Sequence, residues 1–152
     1  MTLKTTPIFT VIIFFISFLS ATAQTNADLR NFVDQIVKAR EASWQEKATV
    51  HDIDRLLDLY SDSVELVHTL NPQKSFKIAG KSTIKRGLSS HLGETKNVKI
   101  IIVSFISIQN IAIVELQMDR TIVATNRKES NRTVHLYEFD ATGKVKRIVE
   151  YI

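Results

Sequence analysis

Cysteine is absent from all 152 residues, which excludes disulfide staples, a thiolate nucleophile and a lipobox anchor. Proline occurs only twice and the charged fraction is an ordinary 24%. With no internal repeat or low-complexity segment, this composition describes one compact globular domain. The four glycines build neither a glycine-rich phosphate loop nor a Gly-x-Ser-x-Gly elbow. Four histidines are spread without a His-x-x-x-His or similar local pair, so no metal site is expected and no cofactor is called for. Long hydrophobic runs are missing too. Ile8 to Leu19 is about a dozen residues, short against the ~20 of a spanning helix.

That run has a context. Lys4 precedes it and the small-residue site Ala21-Thr22-Ala23 follows, the three-part layout of a secretory signal. Residues 1–23 are therefore expected to be removed, with the mature chain beginning at Gln24 or Thr25. Residues 24–152 are expected to be an exported domain, periplasmic or secreted, without membrane contact after cleavage. The full chain carries a formal charge of +4, and losing Lys4 leaves it mildly basic. In an oxidising compartment and without cysteine, stability must come from burying apolar surface, which about 130 residues can do.

Along the chain, Leu29, Phe32, Val33, Ile36, Val37 and Trp44 trace one stripe of a long helix from Asp28 to about Glu46, with Asp34, Lys38, Glu41 and Lys47 opposite. Thr49 with Asp52 resembles a capping box opening a second helix that ends near Tyr60. At Ser61-Asp62-Ser63 the period changes to two: Val64, Leu66 and His68 share one face of a strand over Val64 to Thr69. After an Asn71-Pro72 turn, Ser75 to Ala79 reads as a short strand. A third helix, capped by Ser82 or Thr83, presents Ile84, Leu88, His91 and Leu92 inward and stops near Gly93.

Val98 to Ile108 is apolar on both faces. From Ile111 to Val123, Ala112, Val114, Leu116 and Met118 alternate with Ile113, Glu115 and Gln117, so this strand has an inside. Asn126 to Asn131 reads as a charged loop, and Thr133 to Phe139 pairs with Val145 to Ile152 across Asp140 to Lys144 as a hairpin. Helices clustered early and long strands after them give an α+β fold, with three helices in the N-terminal half on a curved, mainly antiparallel sheet.

That order, with Tyr60-Ser61-Asp62-Ser63-Val64 and Glu138-Phe139-Asp140-Ala141-Thr142-Gly143-Lys144-Val145, resembles the NTF2-like superfamily, especially its SnoaL-like and ketosteroid-isomerase-like members. The resemblance covers residues 28 to 152 and implies a cone whose sheet wraps the helices around an apolar pocket. Laid on the isomerase pattern, His68 falls where that family keeps a carboxylate base. Trp44 falls at its oxyanion-binding tyrosine and His135 at its protonated aspartate. None of the three isomerase side chains is kept, which argues against steroid isomerisation.

His68 is the first candidate for catalysis, because imidazole exchanges protons near neutral pH. His135 is the second, as a hydrogen-bond donor to a developing enolate or a ligand carbonyl. A core histidine bonded to a neighbouring carbonyl accounts for either position equally well. Trp44, Tyr60, Val114, Leu116, Met118 and Tyr137 are the candidate ligand-lining residues; the lining role comes from the resemblance, and strand spacing alone describes plain core. Two readings follow: a domain binding a small, largely apolar molecule without catalysis, or a SnoaL-like isomerase, cyclase or hydrolase with His68 as general base. No carboxylate is expected on the inner face, which tilts toward binding.

Lys74, Lys77, Lys81, Lys85, Arg86, Lys96 and Lys99 meet only Glu94 between residues 74 and 99. Such a side steers anions, but without interleaved aromatics it offers no stacking platform, so nucleic acid is not expected as a partner. A homodimer is expected. Only one face of Val98 to Ile108 meets the helices, leaving either Ile100, Ile102 and Ile106 or Ile101, Val103 and Phe105 to be covered, with Ile113 enlarging that patch.

Overall fold

The computed structural model describes residues 26–71 and 74–151. The expected signal segment lies outside them. Helix α1 (Asn26–Ser43) buries Leu29, Val33, Ile36 and Val37 as their spacing requires. Helix α2 (Val50–Asp58) starts at Thr49, where the Asp52 carboxylate accepts both the Thr49 N–H and its hydroxyl at 2.9 Å. The expected pairing of Thr49 with Asp52 is present. Strand β1 (Tyr60–Asn71), β2 (Lys74–Ala79) and helix α3 (Lys81–Ser89) follow, then β3 (Thr95–Ile108), β4 (Ile111–Ile122), β5 (Lys128–Phe139) and β6 (Val145–Tyr151).

The six strands form one sheet in the order β2-β1-β6-β5-β4-β3, antiparallel except for the β1–β6 pair. Helix α1 packs against β3, β4 and α2, while α3 packs against α2, β1 and β2. This is the expected α+β architecture. Core residues come from both layers: Leu29, Val33 and Ile36 meet Val64, Val114, Tyr137, Phe139 and Ile148. Among the described residues no helix is long and apolar enough to cross a membrane.

Several local expectations are corrected. The first strand is longer than Val64 to Thr69: β1 already runs from Tyr60 through Ser61 to Ser63, and the irregularity lies in its pairing, where Tyr60 faces Val145 but Glu65 faces Arg147. The surplus residues on β1 are absorbed as a bulge, which period-two counting cannot see. Helix α3 is capped by Gly80, at φ 82°, rather than by Ser82 or Thr83, and His91 lies exposed in the turns after it. The charged segment from Lys128 is already strand β5, because its edge of β4 offers backbone partners that outweigh its polar composition.

Strand β3 carries the largest correction. Ile102 pairs with Leu116 and Ser104 with Glu115, so Val103 is an extra residue and the alternation shifts phase. Val98, Ile100 and Ile102 face inward, and Phe105 joins them; Ile101, Val103, Ile106 and Ile108 are exposed. Neither expected outward set is therefore correct, since Phe105 and Ile106 exchange places.

Helix α1 and the turn after it also close the free edge of β3. Glu41 accepts the Ile100 N–H at 2.7 Å, and Gln45 bonds the Val98 carbonyl at 2.8 Å and its N–H at 3.3 Å. Side chains thus supply what a seventh strand would.

Candidate functional site

On the inner face, β1 carries Val64, Leu66 and His68; β5 carries Thr133, His135, Tyr137 and Phe139; β6 carries Ile148 and Glu150. Pairing places His68 and His135 on either side of Glu150, since β6 lies between β1 and β5 and both histidines are registered with that residue. Helix α1 brings Arg40 over the same point. Its position follows from the buried stripe: Ile36 and Val37 lead to Arg40 and then Trp44 at helical spacing.

The four groups form one network. Arg40 Nη1 donates to Glu150 Oε1 at 2.7 Å, and the other carboxylate oxygen, Oε2, lies 3.0 Å from His68 Nδ1. A carboxylate only accepts, so His68 carries its proton on Nδ1 in this contact. No described residue takes up His68 Nε2. Its ring is stacked on Phe76 with centroids 4.7 Å apart, and the side chain keeps 19% of its exposure.

His135 is held differently. Its Nδ1 lies 3.3 Å from Arg40 Nη1, a donor-only group, so Nδ1 accepts and Nε2 bears the proton, donated to Thr133 Oγ1 at 2.9 Å. The 3.4 Å approach of Nδ1 to Glu150 Oε1 is consequently not an ion pair; Arg40 bridges the two acceptors. Burial and the Arg40 charge push the His135 imidazole down to about 3, against the smaller opposing pull of Glu150. This histidine stays neutral.

Burial opposes ionisation of Glu150, yet the Arg40 charge and the hydrogen bond from His68 outweigh it and hold the carboxyl well below its ordinary range. Arg40 shows the mirror of this: desolvation works against its charge, and Glu150 together with Tyr137 and Tyr60 more than offsets it. Burial pushes the Tyr137 hydroxyl up to about 12 and Tyr60 higher still, so both remain protonated donors. The result is a buried, ionised Arg–Glu pair flanked by one neutral, fully engaged histidine and one histidine whose Nε2 has no partner among the described residues.

The expected site residues fall into two groups. His68, His135 and Tyr137 converge on this network, with Tyr137 stacked on His135 at 5.9 Å and its hydroxyl 3.5 Å from His135 Nδ1. Trp44 stands beside it, its ring 5.9 Å from the Arg40 guanidinium. Val114 faces His135 across the ladder and Leu116 faces Thr133; both are buried core, as are Tyr60 and Tyr137. Met118, opposite Asn131, is only part-buried.

Arg40 and Glu150 were not foreseen, and the expectation of an inner face without a carboxylate is overturned by Glu150. Each carried a signal. Arg40 continues an apolar helical stripe, and Glu150 sits two residues beyond inward-facing Ile148. Opposite charges at inward phase on two distant elements are a pair that spacing alone does not join. Among the described residues, no group of three or more His, Cys, Asp or Glu side chains is placed to hold a metal ion.

Helices backing a mixed sheet, with ionisable groups gathered on the covered face, define the cone-shaped α+β class of NTF2-like domains. Within it the family is specific: a family model described as a SnoaL-like domain matches residues 42–148, and the chain belongs to that family. Among solved structures, an NTF2-like protein of unknown function from Exiguobacterium sp. 255-15 is similar at TM-score 0.63 and 11% identity, over 79% of this chain and 96% of that one. The epoxide hydrolase/cyclase-like enzyme SalBIII, of pyran ring formation in the polyether salinomycin, is similar at TM-score 0.66 and 12% identity, over 84% and 92%. At such identities the likeness is one of fold. No curated protein matches the chain significantly.

Proposed function

We propose that this domain is a small-molecule enzyme of the SnoaL-like type in which His68 acts as general base on a largely apolar substrate. One observation carries this reading: His68 Nδ1 is fixed 3.0 Å from Glu150 while Arg40 holds the other carboxylate oxygen at 2.7 Å. That arrangement leaves the Nε2 lone pair as the reactive edge, a base oriented by a third group. It supports removal of a proton from a carbon acid, a hydroxyl or a water, the step shared by isomerisation, ring closure and epoxide opening. The SalBIII likeness is consistent with that range. Non-catalytic binding rests on two grounds, the missing isomerase side chains and an inner face without a carboxylate, and Glu150 removes the second. His135 receives no proton in this scheme, because both its nitrogens are engaged; it buttresses Arg40.

The test begins with native mass spectrometry of protein purified from its own host, which identifies the class of any retained ligand. Turnover of that class is then measured in His68→Gln and Glu150→Gln. His68→Gln is expected to lose at least about a hundredfold in kcat, the usual contribution of a general base, with little change in melting. Unchanged turnover in His68→Gln defeats the reading.

A further inference from the structure

A cavity of about 620 Å³ lies away from His68, at the end of the sheet where β3 begins and β4 ends. Its volume is that of a small-ligand site. Trp44, Leu92, Ile122 and Val123 give it apolar walls, and Arg120, two residues beyond Met118 along β4, lines it together with Glu94. The Arg120 guanidinium lies 5.6 Å from the centroid of the Trp44 ring. The walls are tied together: the Thr95 hydroxyl donates to the Trp44 carbonyl, and the Val123 N–H to the Glu94 carbonyl at 2.9 Å.

Arg120 is the cation of this cavity, and the carboxylates near it already have partners. Arg120 donates through Nε and Nη2 to one oxygen of Glu129, at 3.0 and 2.8 Å, and Arg127 engages the other oxygen. Two guanidiniums share one carboxylate. Arg120 Nη1 has no partner among the described residues. At the rim, Glu94 is occupied by His91 Nδ1 at 2.8 Å. Apolar walls with one guanidinium nitrogen left to donate, Arg120 Nη1, match an amphiphile bearing one negative charge.

We propose that this cavity binds a small amphiphilic carboxylate, its apolar body against Trp44 and its head group on Arg120. The site shares Trp44 with the surroundings of Arg40 but includes neither His68 nor Glu150, and it does not depend on the base chemistry of His68.

Trp44 is the single tryptophan, so its fluorescence reports on the cavity directly. Titration of the full domain with octanoate is expected to give a saturable change. Octan-1-ol, the same chain without the charge, is expected to bind at least tenfold more weakly. Arg120→Gln raises the octanoate Kd at least tenfold and leaves octan-1-ol unaffected, whereas Glu129→Gln, which frees positive charge, tightens octanoate. His68→Gln titrates like wild type, so loss of the proposed catalysis and loss of this site are separate results. The proposal is overturned if octanoate gives no saturable change, if octan-1-ol binds as tightly, or if Arg120→Gln keeps wild-type affinity. Should Arg120→Gln fail to fold, Glu129→Gln decides alone: unchanged or weaker octanoate binding overturns the proposal.

Discussion

Arg40 and Glu150 act as a unit. Each is nearly excluded from water, with 14% and 5% of its side chain exposed, so each needs the other to compensate its buried charge. Removing one partner of such a pair strands a buried charge and typically costs about 3–5 kcal/mol. The pH dependence follows from the same geometry. His135 has an ordinary value of 6.5 and is pushed to about 3 in the fold, so below 6.5 the unfolded chain takes up a proton that the folded chain refuses. Stability therefore falls as pH drops from 6.5, by up to about 1.4 kcal/mol per pH unit. Glu150 is depressed in the fold, so its contribution is complete above its ordinary 4.5 and is lost as pH falls below that. Both groups favour the folded state toward neutral pH. Urea denaturation between pH 4.5 and 8 is expected to show the upper part of this loss, and His135→Gln is expected to flatten it. An equally steep curve in His135→Gln would show that His135 does not cause it.

Among the elements, β3 decides which apolar residues stabilise the fold and which remain for other surfaces. Its bulge at Val103 turns Phe105 inward, where the ring packs on the core and lies 5.3 Å from the Arg30 guanidinium carbon, and leaves Ile106 58% exposed. Simple alternation places these two the other way round. Phe105→Ala is therefore expected to destabilise by about 2 kcal/mol or more, and Ile106→Ala by less than about 1 kcal/mol, in chemical denaturation under dilute, monomeric conditions. The reverse order would return β3 to uninterrupted alternation. The bulge was not legible in the sequence, because an unbroken run of Ile, Val and Phe has no polar residue whose phase records the extra position.

For the whole molecule, the outer face of the sheet is apolar in a continuous row. Ile106, Ile113, Leu136, Val149 and Val67 are successive ladder partners from β3 to β1, flanked by exposed Ile101, Val103 and Val134. We propose that a second copy covers this face as a two-fold homodimer, since a patch of this extent is unusual on a monomer and a two-fold pairing is self-complementary. Ile113→Lys is then expected to weaken association at least tenfold in sedimentation, with the fold retained, because an unpaired charge would be buried at the interface. A wild-type monomer at micromolar concentration defeats this. Export is likewise proposed on the N-terminal sequence; an intact mass beginning at Gln24 or Thr25 in the exported fraction supports it, and a full-length membrane-bound species overturns it.

What the sequence determined by itself was the order of the elements and the inner faces of α1, β4 and the second half of β5. The stripe Leu29–Val33–Ile36, the alternation Val114–Leu116–Met118 and the row His135–Tyr137–Phe139 all point into the core as their spacing demands. Such periodicity is local, set by 3.6 residues per helical turn and two per strand repeat, and survives without knowledge of the partner element. Only the tertiary structure decided the chemistry of the site. Glu150 lies between His68 and His135 because β6 runs parallel to β1 and antiparallel to β5, and Arg40 reaches it from a helix 110 positions earlier in the chain. Whether a buried charge is paired depends on distances between remote elements and on the water excluded when they meet, and neither quantity is written in the spacing of any one segment.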